Sequence, residues 1–317
     1  MNLKAGDSVT LTELKDGSMR IVPPSIKPKE KKTQGSFIEI FKGMKPETLL
    51  RKIISNYLAG YDFVKIVTKE EELIGPEYRN VVRETVQALI GMEIVRQTTG
   101  EIIIQCLLDY SKLPISTVME EMEKITVSMQ RDAVDSLLTG NLNLANDVIA
   151  RDVEVDRLYL LAVKQLKDMI RDGDIAKMMN MSPRTCLGYR VAVKCIERIA
   201  DHSERIGRNV ISLGKMSLST FLRRIFLEMS ETTYKVYSKA TEALLSLDEN
   251  KAEEAVQLIK AVEKVEDVAI NELVKSPLSA HEIVCLRTII DSLKRMADYG
   301  TDIAEIVLNL AVGEPET

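Results

Sequence analysis

The sequence is poor in the residues from which most catalytic and metal–thiolate sites are built. It has two histidines, His202 and His281, no tryptophan, and only 4% aromatic residues. Two histidines argue against a His-rich zinc site. Its four cysteines, Cys106, Cys186, Cys195 and Cys285, are dispersed, with no Cys-x-x-Cys spacing. That pattern excludes a small disulfide framework and fits buried free thiols in a reducing compartment. No apolar run reaches the ~18 residues of a membrane-spanning helix, and Met1 to Asp7 carry no apolar leader, so a cytoplasmic protein is expected. Gly-x-Gly-x-x-Gly, Gly-x-x-x-x-Gly-Lys-Ser/Thr, Gly-x-Ser-x-Gly and His-Glu-x-x-His are all missing, which removes the common nucleotide loops, the hydrolase elbow and the zinc-protease helix. Glu-x-x-His is missing too, against a di-iron oxidase of the ferritin type. A non-enzymatic protein is the expectation.

What remains is a chain of 317 residues with 45% hydrophobic and 29% charged residues and a net charge of −5. That balance is globular, and the length calls for two or three domains. The negative total makes the whole chain a poor nucleic-acid polyelectrolyte, though one face can still be basic. An aliphatic, methionine-containing core suits helix bundles.

Punctuation divides the chain into zones. Residues 1–26 read as a β-hairpin, with Val9 to Leu14 and Met19 to Val22 as strands and Asp16-Gly17 as the turn. Lys27 to Lys32 form a charged, proline-bearing linker. Residues 34–112 read as a small α/β domain in the order β-α-β-α-β-β. Its strands are Phe37–Phe41, Tyr61–Val67, Met92–Thr98 and Glu101–Leu107, and its helices open at Pro46 and Pro76. From about 113 the apolar spacing is helical throughout. Six helices are expected, opening at Pro114, Leu142, Ser182-Pro183, Ser217, Lys251 and Ser276-Pro277. Short loops make them antiparallel neighbours.

The helical zone is internally repeated, with units at 113–215 and 216–312. Glu197-Arg198-Ile199-Ala200-Asp201-His202 in the third helix matches Lys294-Arg295-Met296-Ala297-Asp298-Tyr299 in the sixth. Asp152 to Asp156 in the second is paired with Val262 to Glu266 in the fifth. The fold class is therefore mainly α: tandem antiparallel three-helix bundles preceded by a small α/β domain and a hairpin.

Residues four apart share a helix face, so Glu197 projects with Asp201, and Asp152 with Asp156. These acids flank the apolar stripe of Ile196, Ala200, Ser203, Ile206 and Val210. Where the two faces meet, four carboxylates converge, and converging carboxylates need a cation. Oxygen ligands point to Mg, Ca, Mn or Fe. His202 adds a nitrogen only where its ring turns to the same side. The alternative is a solvated face paired with Lys194, Arg198, Arg205 and Arg208. Asp298 is the candidate ligand in the second repeat, where Lys294 stands in the place of the first acid and its ammonium can replace a metal.

Two three-helix repeats carrying Glu197-x-x-x-Asp201 resemble the PhoU family of phosphate-signalling regulators. The resemblance implies a regulator of phosphate uptake that docks the phosphate transporter's ATPase or a sensor kinase, and a metal, iron or zinc among the candidates, at the acidic signature. A homodimer is expected. Leu3 to Val9 with Asp16 to Pro23 resemble the second half of an AbrB/SpoVT-type DNA-binding hairpin, an arrangement of archaeal regulators, and imply transcriptional control with DNA as a further partner. The other reading is a metal-binding carboxylate bundle with no phosphate-specific role.

Overall fold

The structure is a computed structural model that describes residues 9–13, 18–22, 34–68 and 73–312. The expected turn at Asp16-Gly17, the linker from Lys27 to Lys32, and most residues of the AbrB/SpoVT resemblance lie outside the described residues. Strands β1 (Thr10–Glu13) and β2 (Met19–Val22) pair antiparallel, Leu11 opposite Ile21.

The α/β unit follows in the expected order: β3 (Gly35–Ile40), α1 (Pro46–Ala59), β4 (Phe63–Thr68), α2 (Pro76–Ala88), β5 (Met92–Gln97) and β6 (Glu101–Cys106). The sheet order is β3-β4-β6-β5. β3 and β4 are parallel, and the other two pairings are antiparallel, with an irregularity between Ile94 and Arg96. Alternation along the strands buries Ile38, Ile40, Val64, Ile66, Ile102 and Ile104 on one face, where they pack with Leu49, Ile53 and Tyr57 of α1 and Val82 of α2. Both helices open with proline in the first turn, where its missing N–H costs no hydrogen bond.

The rest is helical: α3 (Ile115–Thr139), α4 (Leu142–Arg171), α5 (Gly173–Met178), α6 (Pro183–Leu213), α7 (Thr220–Ser246), α8 (Glu249–Lys275) and α9 (Ala280–Ala311). One continuous core runs through both three-helix units. Three starts differ from the sequence reading. α7 is capped by Ser219, whose side chain accepts from Leu222 N–H, rather than by Ser217. α8 begins at Glu249 because Asp248 accepts from two backbone N–H groups. α9 begins at Ala280, where Ser279 and Glu282 form a capping box. Ser276 instead closes α8, its N–H bonded to the Leu273 carbonyl. The short α5, capped by Asp172, was not anticipated.

Burial fixes the register between repeats. Met119, Met122, Thr126 and Leu137 of α3 occupy the places of Phe226, Met229, Thr233 and Leu244 of α7. At the same spacing, Ala145, Val148 and Val155 of α4 match Ala252, Ala255 and Val262 of α8. Ile196, Ala200, Ile206 and Val210 of α6 match Leu293, Ala297, Ile303 and Val307 of α9 at a spacing shortened by the α5 segment. This register corrects one pairing of the sequence reading. Val155 corresponds to Val262, so Asp156 corresponds to Glu263, and Glu266 falls at the place of Tyr159. An amphipathic pattern repeats at three and four residues, so a slip of three leaves the apolar stripe intact.

The α/β unit is fastened to α4. Arg171 Nη1 donates to the carbonyls of Ala59 and Gly60 at 3.1 and 3.0 Å, satisfying the C-terminal end of α1. Asp168 Oδ1 pairs with Arg171 Nη2 at 3.0 Å, and its other oxygen accepts from Lys164 Nζ at 3.1 Å and from the Tyr110 hydroxyl. Lys164 and Asp168 are buried. Gly60 has φ +82°, and a Cβ there would lie 2.3 Å from Asp168 Oδ1, so both conformation and space require glycine.

Candidate metal centre

α4 and α6 lie side by side, and the buried residues Val155, Ile196, Ile199 and Ala200 set which faces meet. The acids beside those residues are brought to the seam. Asp156, Glu197 and Asp201 each offer a carboxylate oxygen within 4.8 Å of the others. Asp156 is exposed and Asp201 half-buried, while Glu197 is buried, deeper than a flanking position suggests. Asp152, one turn before Asp156, is half-buried and is not in that three-residue group.

The electrostatics record the crowding. Burial pushes the Asp152 carboxyl up to about 7, and the charges of Asp156, Asp201, Glu204 and Glu197 push in the same direction. Asp156 is raised by burial and then by Glu197 and Asp201, against the pull of Lys194. Asp201 is raised by burial and Glu197, opposed by Arg198 and Lys194. Cations answer part of this. Lys194 Nζ sits 2.5 Å from both oxygens of Glu197, and Arg198 Nη1 lies 3.0 Å from Asp201 Oδ2. Arg208 binds Glu204, whereas Arg205 reaches across to Asp291 of α9 at 3.6 Å. The pairing with Lys194 and Arg198 anticipated from sequence is therefore present, on a partly solvated face for Asp201 but with Glu197 buried. Among the described residues, neither Asp152 nor Asp156 has an ion pair.

The donor set is all oxygen: three carboxylates on two helices, open to solvent through Asp156. Such a set fits a hard cation that keeps water ligands, Mg, Ca, Mn or Fe, better than zinc, which favours nitrogen and sulfur. His202 does not join it. Its ring faces Tyr299 of α9 at a centroid distance of 5.9 Å, and its Nδ1 is buried with no hydrogen-bond partner. Burial and the nearby Arg205 and Arg295 hold its pKa down to about 4. Asp298 lies in the other repeat, where Lys294 Nζ contacts Oδ1 and Arg295 Nη1 lies 3.3 Å from Oδ2.

Sequence reasoning missed the buried Lys164–Asp168 pair. A signal was present: Lys164 interrupts the apolar run Leu161-Ala162-Val163 in a core-facing stretch, and a charge placed there needs a partner.

The PhoU domain model matches residues 119–210 and again 226–307. The chain is 26% identical over 190 residues to a phosphate-specific transport system accessory protein PhoU homolog 2 of Thermotoga maritima, covering 59% of this chain and 79% of that protein. It is 24% identical over 194 residues to the corresponding PhoU homolog of Pseudomonas aeruginosa, covering 57% and 76%. The crystal structure of PhoU from Pseudomonas aeruginosa superposes with a TM-score of 0.57 at 20% identity, over 64% of this chain and 98% of that one. PhoU from Streptococcus pneumoniae, a phosphate transport system regulatory protein, gives 0.55 at 17% identity, over 63% and 94%. With two matched copies of the domain spanning more than half its length on a tandem three-helix fold, this chain belongs to the PhoU family.

Proposed function

We propose that this protein is a non-enzymatic regulator of phosphate uptake or phosphate-responsive signalling that works by docking a protein partner. The observation that carries the reading is the pair of PhoU domains packed on one core, together with relatives whose names place them as accessory proteins of phosphate-specific transport systems. Docking through helix faces needs no active site. The partner is the transporter's ATPase or a sensor kinase. Deleting the gene should raise phosphate uptake in phosphate-rich medium, and a co-purification should retain the transporter ATPase. Unchanged uptake and no retained ATPase reject the reading.

Within that function, Asp156, Glu197 and Asp201, with Asp152 alongside, hold a hard cation that relieves the charge at the α4–α6 seam and fixes the surface presented there. Stoichiometric metal in purified protein, lost in a Glu197→Ala/Asp201→Ala variant, supports the site. No metal and unaltered stability remove it. The protein acts in the cytoplasm as a homodimer, which light scattering tests. Direct transcriptional control is a second reading, favoured by the β1–β2 hairpin. It predicts salt-sensitive DNA binding in fluorescence anisotropy, and no salt-sensitive affinity rejects it.

A further inference from the structure

The two repeats neutralise the same helix face in different ways. In the first, Glu197 adds a negative charge to a seam already holding Asp152, Asp156 and Asp201. In the second, the register of buried residues puts Lys294 at the place of Glu197 and Asp298 at the place of Asp201. One exchange of residue thus reverses the charge at that position. Lys294 is largely buried, with 19% of its side chain exposed, and its ammonium contacts Asp298. Arg295 holds the other oxygen of Asp298, and Arg287 lies 3.6 Å from Glu266. The Glu266 carboxyl, pushed up by burial, is pulled back by Arg287 and Lys294. Among the described residues, the only trio of close ligand atoms is the one in the first repeat.

We propose that Lys294 is a built-in counter-cation, neutralising Asp298 so that the second repeat keeps its fold without a metal ion. The residues of that repeat do not fit a bound cation, because the Lys294 ammonium already contacts Asp298 and Arg287 pairs with Glu266. The contrast between a cation-dependent first repeat and a cation-independent second one rests on the reading of the Asp156–Glu197–Asp201 cluster given above. The counter-cation role of Lys294 does not.

The test is a thermal-unfolding cycle on the full chain in EDTA, with Lys294→Met, Asp298→Asn and the double variant. Lys294→Met should lower the midpoint by several degrees by leaving Asp298 under-neutralised, and the double variant should regain most of that loss. Lys294→Glu should lose more in EDTA. In a Glu197→Gln background, where the first cluster is disabled, it should regain stability on adding manganese chloride, while Glu197→Gln alone shows no response. A Lys294→Met variant as stable as the parent, a double variant no better than Lys294→Met, or a Lys294→Glu variant unharmed in EDTA overturns the proposal. If the parent protein ignores manganese and Glu197→Gln changes nothing, the first-repeat cation site falls, and the cycle still decides the role of Lys294.

Discussion

Replacing Asp152 by asparagine should stabilise the metal-free protein, and by an amount that depends on pH. The Asp152 carboxyl is raised from 3.8 to about 7 in the folded state, by burial first and by four neighbouring carboxylates after it. An acid whose folded pKa is raised holds its proton more tightly when folded. Its ionisation therefore costs stability, beginning as pH rises above about 4 and complete above about 7. A shift of three units corresponds to a ceiling of ~4 kcal/mol. Asp152 retains contact with solvent, which screens its neighbours, so ~1–2 kcal/mol is the expected cost at pH 8. For a helical region of this size that is about 2–8 °C in melting midpoint. Parent and Asp152→Asn proteins are melted in EDTA from pH 4 to 8.5. The variant's advantage should grow across pH 4–7 and then level off. Adding a divalent cation at pH 8 should shrink it, because the ion relieves the same repulsion. An advantage independent of pH, or a variant less stable at pH 8, refutes the electrostatic argument.

Other perturbations address separate parts of the structure. His202 is held neutral, its pKa lowered to about 4; a lowered base contributes stability that is full above about 6.5 and lost as pH falls toward 4, so His202→Phe should flatten the plot of melting midpoint against pH in that window. Curves that stay parallel to the parent's contradict it. A Cβ on Gly300 would meet the Tyr237 Cα at 3.1 Å and the Tyr237 N at 3.2 Å, both backbone, so Gly300→Val should cost ~2 kcal/mol by urea denaturation, as overpacking does. Lys164→Met breaks a buried pair yet leaves Asp168 with Arg171 and Tyr110, so its cost should be ~2–3 kcal/mol, below that of a fully orphaned charge. The loss should appear as faster proteolysis between β6 and α3.

The sheet and six of the seven helices from α3 to α9 were legible because their ends carry chemistry that acts locally. Pro46, Pro76 and Pro183 open helices, and Gly60 and Gly140 close them in left-handed conformation. Where several caps stood within three residues, as with Ser217 and Ser219 or Ser276 and Ser279, sequence could not choose. The choice was made by side-chain geometry such as the Ser279–Glu282 box. α5 is a single turn and a half, too short for periodicity to register. The acidic pairs were legible as faces, since spacing of four is enough for that. The depth of Glu197 was not, because burial on a seam depends on how far α4 and α6 interpenetrate. Nor was the fastening of α1 to α4, which joins residues more than a hundred positions apart through Arg171 and Gly60. No local rule carries information over that distance.

α4 is the element on which these features meet. Its first half brings Asp152 and Asp156 to the seam with α6, and its last turns hold Lys164, Asp168 and Arg171 against the α/β unit. At 1.5 Å per residue the two ends are about 29 Å apart on one helix. One continuous helix thus joins the carboxylate seam to the Arg171 cap of α1. Among the described residues, α8, its counterpart, has no matching pair: the buried lysine and its Asp168 partner correspond there to Asn271 and Lys275. The first repeat thus combines the three-carboxylate cluster with the attachment to the α/β unit, whereas the second, among the described residues, has no such cluster and pairs Asp298 with Lys294. A cation bound at the seam would therefore lie in the half of the bundle that carries the α/β unit.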